Sequence, residues 1–547
     1  MPPIGRFWRT VRWLKSAQVI GRVRFRLQRP QLDLRPAPAL RTARGPWQSP
    51  AARNASLSGP TRMLFLGESR DLAEVGWDNP AIPLLWRYNQ HYFDDLNAAG
   101  AAHRRNWQRS LGARWLAENP PGRGTAWAPY PLSLRIVNWV KWSLSGEELA
   151  AAWLDSLAAQ SRWLMRRLEW HLLGNHLFTN AKALVYAGLF FEGNEAEHWL
   201  AQGLRILVRE MPEQLLADGG QFERSPMYHA LALEDLLDLI NVLEHLAGAN
   251  PSACALLPEL RARSILALSW LRSMTHPDGT LVRFNDTAEG IAPPLFEIER
   301  YAAVLGIAVE AAPRAGALHL QPSGYARIER GAAVAFLDMA PIGPDYLPGH
   351  AHADTLSFEL SLQGQMLLVN RGTSVYGNGP RRQVERGTAA HNTVEVDNQD
   401  SSEVWSGFRV GRRARPFDVQ VDGFVAEASH DGYDHLPGRP RHHRRWTLED
   451  CGLLVEDQID WQGRQAAKLA AVARFHLHPG MSLVQSGSRS WLVSTKNGLL
   501  ASVEVVIGTA SQESWEQALH FGELAPAVTL VVTLDRCRAA VHWRWKA

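Results

Sequence analysis

Residues 349–360 read GHAHADTLSFEL, and they decide the architecture that this sequence predicts. The stretch opens with His350 and His352 and then alternates apolar and polar residues as far as Leu362. Alternation of this kind predicts a half-buried β-strand over Thr355–Leu362, and a Gln-Gly turn leads into a returning apolar run. We therefore expect an antiparallel sheet that fixes imidazole groups near the end of one strand.

Two patterns of apolar residues divide the rest of the chain. From about residue 97 to residue 310, apolar side chains such as Leu233, Leu236 and Ile240 recur at three and four positions, which predicts successive helices packed as helical hairpins. From about residue 320, alternation and frequent turn signals predict an antiparallel β-sandwich. The predicted fold is an α+β chain with a basic arm and linker at 1–60, a helical domain at 61–320 and a β-sandwich domain at 321–547.

Composition narrows the class of protein. The 547 residues suffice for two or three domains, and the sequence predicts no membrane span because it lacks a run of about twenty apolar residues. A net charge of +3 argues against a nucleic-acid-binding protein. The 22 tryptophans suit stacking on sugar rings, with core filling as the alternative interpretation. Three widely separated cysteines predict neither a disulfide framework nor a thiolate zinc site, which fits a reducing compartment.

Residues 1–30 are basic and lack the uninterrupted apolar core and the small-residue cleavage site of a signal peptide. We therefore predict a cytoplasmic or inner-membrane-associated protein, with the periplasm as the alternative. Phe7 and Trp8 are interleaved with Arg6 and Arg9, which predicts a basic amphipathic helix. Two interpretations stay open for this helix: peripheral contact with a membrane surface, or an arm that docks onto its own protein.

Three histidines are candidates for a metal site. His350 and His352 lie close together, and the sheet could bring His391, in the stretch AHNTVEVD, alongside them. In an extended segment the first two histidines would point to the same side, whereas in a loop they would diverge, one toward a metal and the other toward a substrate. Polar residues at strand ends that bond to the backbone are the alternative interpretation.

The helical half contributes two further groups of candidates. Asn175 and His176 are predicted at a helix N-terminus, where free N–H groups favour an anion such as a uronate carboxylate; a simple helix cap is the alternative. Tyr228 begins another helix and can act as acid and base near cations or imidazoles, with an ordinary half-buried tyrosine as the alternative. Asn285-Asp286 suggests a turn, for which a structural role is expected.

Five motifs together resemble the heparinase II/III family of polysaccharide lyases. The resemblance covers roughly residues 60–540, and its last two motifs together are the specific ones. It implies an incomplete (α/α) toroid of helical hairpins followed by an antiparallel β-sandwich. The motifs are Trp86–Phe93, Gly174–His176, Glu223–His229, Gly349–Asp354 and Ala390–Val394.

The resemblance implies β-elimination at a uronic acid of an acidic polysaccharide, a reaction that needs no water. Asn175, helped by His176, would neutralise the uronate carboxylate. Tyr228 or His350 would remove the C5 proton, depending on the epimer, and Tyr228 would protonate the departing O4. The matched motifs also supply the residues expected to bind the polymer, which are Arg87, Asn89, His91, Glu223 and His229.

The resemblance further implies a structural zinc in the β-sandwich, held by two histidines and an aspartate. His352 and His391 match the histidines, and Asn370 stands where the aspartate is expected. A neutral amide is a weaker ligand than a carboxylate, and Arg371 beside it would repel a cation.

Two other functions compete with the lyase. A glycoside hydrolase on a helical toroid would use two carboxylates such as Asp218 and Glu223, which leaves the three histidines without a role. A non-catalytic protein that binds or assembles polysaccharide would keep the fold, and the Asn370 departure is compatible with it. Residues 86–89 and the basic N-terminal segment look more like family members linked to making bacterial surface polysaccharides.

Overall fold

The computed structural model describes residues 4–248, 250–308, 315–463 and 469–546. Helices dominate up to residue 304, as the three-and-four periodicity predicts. The helices in chain order are α1 (Ile4–Val11), α2 (Ser16–Leu27), α3 (Leu72–Val75), α4 (Leu84–Gln90), α5 (Arg105–Glu118), α6 (Pro129–Leu144), α7 (Ala151–Arg166), α8 (Gly174–Phe190), α9 (Asn194–Gln214), α10 (Pro226–Leu246), α11 (Pro251–Cys254), α12 (Leu257–Ser273), α13 (Leu295–Val304) and α14 (Pro380–Arg386).

Close packing in the helical half depends on small residues where α8 crosses α9. A Cβ on Gly188 would lie 2.5 Å from the backbone nitrogen of Leu200, and one on Gly203 would lie 2.8 Å from the carbonyl oxygen of Ala181. Neither position accepts a larger side chain unless a helix moves. Because α8 is buried along nearly its whole length, it forms the centre of this half.

Antiparallel strands build the second half. The strands in chain order are β1 (Arg62–Phe65), β2 (Glu68–Asp71), β3 (Gly316–Leu320), β4 (Tyr325–Arg330), β5 (Ala333–Asp338), β6 (Phe358–Leu362), β7 (Gln365–Leu368), β8 (Val394–Val396), β9 (Val404–Trp405), β10 (Arg409–Val410), β11 (Pro416–Asp422), β12 (Val425–His430), β13 (Pro440–Glu449), β14 (Gly452–Trp461), β15 (Ala471–His476), β16 (Ser482–Gln485), β17 (Ser490–Thr495), β18 (Gly498–Ile507), β19 (Thr509–His520), β20 (Glu523–Thr533) and β21 (Arg538–Arg544).

Three larger sheets form from these strands over the described residues. Their orders are β3-β4-β5-β6-β7, β19-β20-β15-β8 and β11-β12-β13-β14-β21-β18-β17-β16. One apolar core joins residues of all three sheets, such as Leu360, Phe475 and Trp446. A second apolar cluster joins Trp270 of the helical half to Phe336 of the five-stranded sheet. The predicted order of a helical domain followed by an antiparallel β-sandwich domain is confirmed.

The strand predicted over Thr355–Leu362 is shorter than expected and is buried on both faces. β6 begins at Phe358, and all of its residues are buried. Its polar face packs against the helical half, where the two ring nitrogens of His276 lie 2.8 Å from Ser361 Oγ and 2.8 Å from Glu359 Oε2. The prediction of a half-buried strand is wrong because the helical domain covers the face that water would otherwise reach.

Residues 4–60 lie against both halves of the molecule. Arg9 Nε donates to Glu403 Oε2 in the β half at 2.9 Å, and Gly21 of α2 lies against the backbone of Trp170 and His171 in the helical half. The segment therefore docks onto its own protein, as one interpretation of the sequence predicts. Across the described residues, no helix combines the length and the apolar character needed to cross a membrane.

A fully buried ion pair links the β-sandwich to the loops at the seam between the halves. Arg444 donates to both carboxylate oxygens of Asp457, at 2.7 and 2.9 Å, and to the carbonyl oxygen of Leu356 at 2.9 Å. Nε2 of His442 lies 2.7 Å from the same carboxylate. Burial acts to raise the pKa of Asp457, but the Arg444 charge and the hydrogen bonds outweigh burial and hold this pKa at about 2.

We expect Asp457→Ala to lower the free energy of unfolding by about 3 to 5 kcal/mol, because it leaves buried Arg444 without a counter-charge. Asp450→Ala removes the partner of Arg330 in an exposed pair of 2.7 Å and should cost less than about 1 kcal/mol. Urea unfolding followed by circular dichroism compares the two variants. Equal losses at neutral pH would contradict the assignment.

The same pair predicts a pH dependence of stability. The pKa of Asp457 in the folded protein lies below that of a free carboxylate, so the unfolded chain binds this proton more readily. The contribution of the pair is therefore complete above about pH 4 and is lost as the pH falls toward 2. In Asp457→Ala this part of the acid sensitivity should be absent.

Candidate active site at the seam

A tyrosine from the helical half and a histidine from the β half stack against each other at the seam. Tyr228 lies in the first turn of α10, whose N-cap Ser225 accepts from the Tyr228 backbone N–H at 3.2 Å. The ring centroids of Tyr228 and His350 are 3.8 Å apart, and the Tyr228 hydroxyl lies 3.2 Å from that of Tyr376. Burial and Tyr376 raise the pKa of Tyr228 well above its usual range, so the hydroxyl keeps its proton.

The carboxylate of Asp286 is the centre of this cluster. It lies 3.0 Å from Nδ1 of His350 and 2.8 Å from Nε2 of His352, and both Nη atoms of Arg382 donate to it. Burial acts to raise the pKa of Asp286, but Arg382 and the histidine hydrogen bonds outweigh burial and hold this pKa well below the usual range. The carboxylate is therefore ionised.

Asp286 is the functional candidate that the sequence did not reveal. The sequence predicts only a structural turn at Asn285-Asp286, and the aspartate in that turn contacts two histidines and Arg382. The available signal was chemical rather than positional, since a histidine that works in a site needs an acidic or carbonyl partner to fix its tautomer. The local sequence pattern does not indicate which carboxylate is this partner.

His350 and His352 diverge, as the loop alternative predicts. Both lie in the loop before β6 rather than in the strand. Because ionised Asp286 accepts from Nδ1–H of His350, the lone pair of that ring is on Nε2, which lies 3.5 Å from Glu223 Oε2. His352 instead directs Nε2 to Asp286, and burial lowers the pKa of His352 to about 4. Of these two histidines, His350 directs its second ring nitrogen toward Glu223 rather than into the β-sandwich.

Asn175 lies in the first turn of α8 and lines the same cleft. In the part of the chain that the structure describes, its side-chain amide has no hydrogen-bond partner. The first N–H groups of a helix also lack partners within the helix. A cavity of about 30 Å³ joins Asn175 to Tyr228, with Tyr130, Gln214 and Gln221 in its wall. Neutral donors and the Tyr228 side chain therefore face one space.

His176 contacts an acidic partner. Its Nδ1 lies 3.2 Å from Glu169 Oε1, and its ring packs 4.4 Å from that of Tyr130, measured between centroids. Burial acts to lower the pKa of His176, but Glu169 outweighs burial and raises it. His176 therefore ties the first turn of α8 to Glu169.

Strained backbone lies beside these candidates. Leu173, Arg224 and Asn285 have positive φ angles of 63°, 61° and 55°. Asparagine tolerates this region, but for leucine and arginine it costs about 1 to 3 kcal/mol, which the surrounding packing must offset. Strain of this kind persists where a functional conformation is over-determined. The neighbouring candidates in the sequence are Asn175, Glu223 and Asp286.

Four residues expected to bind the polymer have other partners. His91 and His229 are fully buried, and in each ring both nitrogens contact protein groups. Burial lowers the pKa of both, to about 4 for His229. Arg87 pairs with Asp78 at 2.7 Å, and the Asn89 amide donates to a carbonyl oxygen of its own helix at 2.8 Å. The structure therefore places both histidines in packing and does not bring Arg87 or Asn89 to the Tyr228–His350 contact.

A loop of the β half covers the start of α8. A Cβ on Gly174 would lie only 2.3 Å from Cδ2 of Leu347. Beside it, the Tyr346 hydroxyl donates to Glu213 at 2.7 Å, and Gln18 of α2 donates to the Tyr346 carbonyl oxygen at 3.2 Å. The neighbouring cavity at Asn175 is far smaller than the roughly 300 to 1,000 Å³ of small-ligand pockets, so a sugar unit fits only when the cleft widens.

Two of the three residues that the resemblance implies for a zinc site lie against each other. His352 and His391 face each other with 5.3 Å between ring centroids, and Nδ1 of His352 and both ring nitrogens of His391 are buried without a partner among the described residues. The side-chain oxygen Oδ1 of Asn370 already accepts a hydrogen bond from the Asn392 backbone N–H at 3.0 Å. Within the described ranges no three His, Cys, Asp or Glu side chains form a metal-holding group. Two imidazoles fit a zinc ion, and the carboxylate is missing.

Family models match both halves of the chain. The heparinase II/III N-terminus matches residues 101–296, and the heparinase II/III-like C-terminal domain matches residues 312–546. A crystal structure of heparinase III superposes with a TM-score of 0.65 at 18% identity, over 83% of this chain and 76% of that chain. A mutant heparan sulfate lyase from Pedobacter heparinus gives 0.60 at 17% identity, over 97% and 88%. These structures share the fold of this chain.

Two curated proteins are similar in sequence. The heparin-sulfate lyase of Bacteroides stercoris is 27% identical over 245 residues, which are 42% of this chain and 36% of that protein. FtsZ-localized protein C of Caulobacter vibrioides is 28% identical over 429 residues, which are 71% of this chain and 69% of that protein. The match therefore spans about a third of the length of the lyase and about two thirds of the length of the Caulobacter protein.

We predict that this protein binds zinc weakly and that Asn370→Asp raises its zinc affinity, because a carboxylate would complete the set begun by the two unpartnered imidazoles. Elemental analysis after dialysis against a chelator should show zinc only in the variant. Asn370→Asp/His391→Ala adds the same charge without the second imidazole and should retain none. A full equivalent of zinc in the unaltered protein would show that the amide suffices.

Proposed function

The chain belongs to the heparinase II/III family of polysaccharide lyases, and from this premise we propose that it cleaves an acidic, uronate-containing polysaccharide by β-elimination. The contact between Tyr228 and His350 carries the proposal, because it stacks a tyrosine whose hydroxyl keeps its proton on the imidazole of the candidate base. Elimination needs such a pair, since one group must take the C5 proton and another must protonate the departing O4.

In this proposal, neutral hydrogen-bond donors bind the substrate carboxylate. The C5 proton becomes acidic only when the charge that develops on the carboxylate is hydrogen-bonded or neutralised. The free amide of Asn175 and the first N–H groups of α8 supply such bonds, and the helix dipole adds a positive potential. His176 contributes indirectly, because its contact with Glu169 holds the first turn of α8 in place.

The proposed step balances without water or an oxidant. Nε2 of His350 takes the C5 proton, the C5–H electron pair forms the C4=C5 double bond, and the C4–O4 bond breaks as Tyr228 gives its proton to O4. Ionised Asp286 stabilises the imidazolium that forms, and the Tyr376 hydroxyl can donate to the Tyr228 phenolate. Return of the proton from His350 to Tyr228 restores the site.

A glycoside hydrolase is the weaker alternative. Asp218, one of the two carboxylates it would need, accepts from the backbone N–H and the hydroxyl of Ser323 at 2.9 and 2.7 Å and from the Gly220 N–H at 3.0 Å. This carboxylate serves a structural link between the two halves. It is therefore not free to act opposite Glu223 across a glycosidic bond.

A non-catalytic protein that keeps the lyase fold is the second candidate. The similarity to FtsZ-localized protein C covers 71% of this chain, and Asn370 departs from the family's metal ligands. In this alternative the protein would act where FtsZ assembles and would bind or help assemble polysaccharide without cleaving it. A shared fold does not separate the two candidates, so activity must do so.

An absorbance assay discriminates between these functions. The purified protein is incubated with a panel of uronate polymers, and the ultraviolet absorbance of the C=C bond conjugated with the carboxylate is followed. We expect absorbance to rise with at least one polymer. New reducing ends without absorbance would indicate a hydrolase, and neither signal would support the non-catalytic candidate.

We expect Tyr228→Phe to lower kcat by about 10² to 10⁴-fold on the polymer that is cleaved, because it removes the proton donor to O4. KM should change little, since the ring and its stacking on His350 remain. Tyr433→Phe is the matched control, because it removes a buried hydroxyl that bonds to the Val394 carbonyl oxygen at 2.7 Å inside the β-sandwich. Full activity in Tyr228→Phe would overturn the assignment.

A further inference from the structure

Helix α1 turns its charged side to the protein and its apolar side to solvent, which is the reverse of an ordinary surface helix. Arg6 and Arg9 donate to Glu403, at 3.0 Å from Arg6 Nε and 2.9 Å from Arg9 Nε. Residues at three- and four-residue spacing form the opposite side. These are Ile4, Phe7 and Trp8, which are 90%, 48% and 63% exposed.

Helix α2 repeats this arrangement. Its buried residues are Gln18 and Gly21, which face the body of the protein. At about 100° per residue, a second apolar stripe lies on the opposite side of the helix. It consists of Val19, Ile20, Val23 and Leu27, all of them exposed. Together with the three exposed residues of α1, we call this surface the outer stripe.

Positive charge is concentrated in the segment that carries the outer stripe. Residues 1–32 hold eight arginine and lysine residues and no aspartate or glutamate. Of the 58 basic and 55 acidic residues in the chain, the remainder therefore has 50 and 55, a net charge of −5 against +3 for the whole. Arg22, Arg24 and Arg26 are exposed beside the stripe of α2. The segment thus supplies all of the excess positive charge.

A groove between α2 and the helical half is likewise lined by both apolar and positively charged side chains. It has a volume of about 490 Å³. Ile20, Met165 and Leu168 line it with apolar atoms, and the exposed side chains of Arg24 and Arg166 also belong to its wall. An apolar wall with two exposed arginines, of which Arg166 donates to the Gln31 carbonyl oxygen, suits an acyl chain that carries an anionic head group.

We propose that the outer stripe and its arginines dock on an anionic lipid bilayer, with α1 and α2 lying in the plane of the interface. The apolar side chains enter the boundary between head groups and acyl chains, and the arginines bind lipid phosphates. A second copy of this chain is the poorer occupant, because a symmetric contact would bring the exposed Arg22, Arg24 and Arg26 of two copies together. This inference is independent of the lyase proposal.

Docking in this way would hold the candidate site beside the bilayer. Phe25 of α2 packs 4.3 Å from the His171 ring, centroid to centroid, in the segment that leads to Asn175. Gln18 holds the loop that leads to His350. The predicted association with the inner membrane would then come from these two helices rather than from a spanning segment.

Co-sedimentation of the full chain with vesicles tests the proposal. We expect binding to phosphatidylcholine vesicles that contain phosphatidylglycerol, little binding to phosphatidylcholine alone, and weaker binding as salt is raised. Ile20→Glu/Val23→Glu/Leu27→Glu should abolish it. Changing Arg22, Arg24 and Arg26 to glutamine should weaken it by about fivefold per arginine.

The matched control carries the same three charges elsewhere. Val208→Glu/Ile265→Glu/Phe296→Glu changes three exposed apolar residues on α9, α12 and α13 and should bind vesicles like the unaltered protein. Thermal unfolding confirms that both triple variants are folded. Failure of the unaltered protein to bind, or equal loss in the control, would overturn the proposal. So would light scattering that shows a dimer dissolved by the α2 substitutions, which would identify the stripe as a self-association surface.

Discussion

A buried carboxylate must be compensated by nearby positive charge or hydrogen bonds, and Asp286 meets this requirement by joining the two halves of the molecule. It belongs to the segment between α12 and the five-stranded sheet, whereas Arg382, His350 and His352 come from the β half. Arg382 keeps Asp286 ionised, and the ionised carboxylate sets the tautomer of His350. The contacts of Asp286 therefore both join the two halves and orient His350, the candidate base. Neither half alone contains a complete site.

The charges around the cleft also determine which protein groups could bind an acidic polymer at the seam. Glu169, Glu223 and Asp235 all lie close to the cleft, and Arg382 is already neutralised by Asp286. Free donors near Tyr228 are therefore neutral, chiefly the Asn175 amide and the N–H groups at the start of α8. Neutral donors hold a resting carboxylate weakly but gain strength as its charge grows, which is the differential binding that lowers a barrier. In the proposed reaction this arrangement would favour turnover over tight binding of the polymer.

Features that follow from local periodicity were predictable, and features that depend on distant partners were not. Alternation predicted β6, and the motifs around Tyr228 and His350 identified two residues that the structure brings into contact. The burial of Glu359 depends on His276, which lies 83 residues away in the chain, and the role of Asp286 depends on Arg382, 96 residues away. A pattern of period two or 3.6 contains no information about such pairs. For that reason the alternation predicts that β6 is half-buried, and the local pattern at Asn285-Asp286 predicts only a turn.

Access to the site and docking of the N-terminal helices depend on shared contacts. Gln18 bonds the Tyr346 carbonyl oxygen, and Lys15 and the Tyr346 hydroxyl both bind Glu213. The loop with Tyr346 covers the start of α8 beside Asn175, and a movement of this loop must either break these bonds or carry α2 with it. A helix that lies in a bilayer interface cannot follow the loop, since its apolar side chains would leave the lipid. On a membrane the loop would therefore open by breaking its bonds to α2, so the surface that holds the protein would also set the free energy of opening its site.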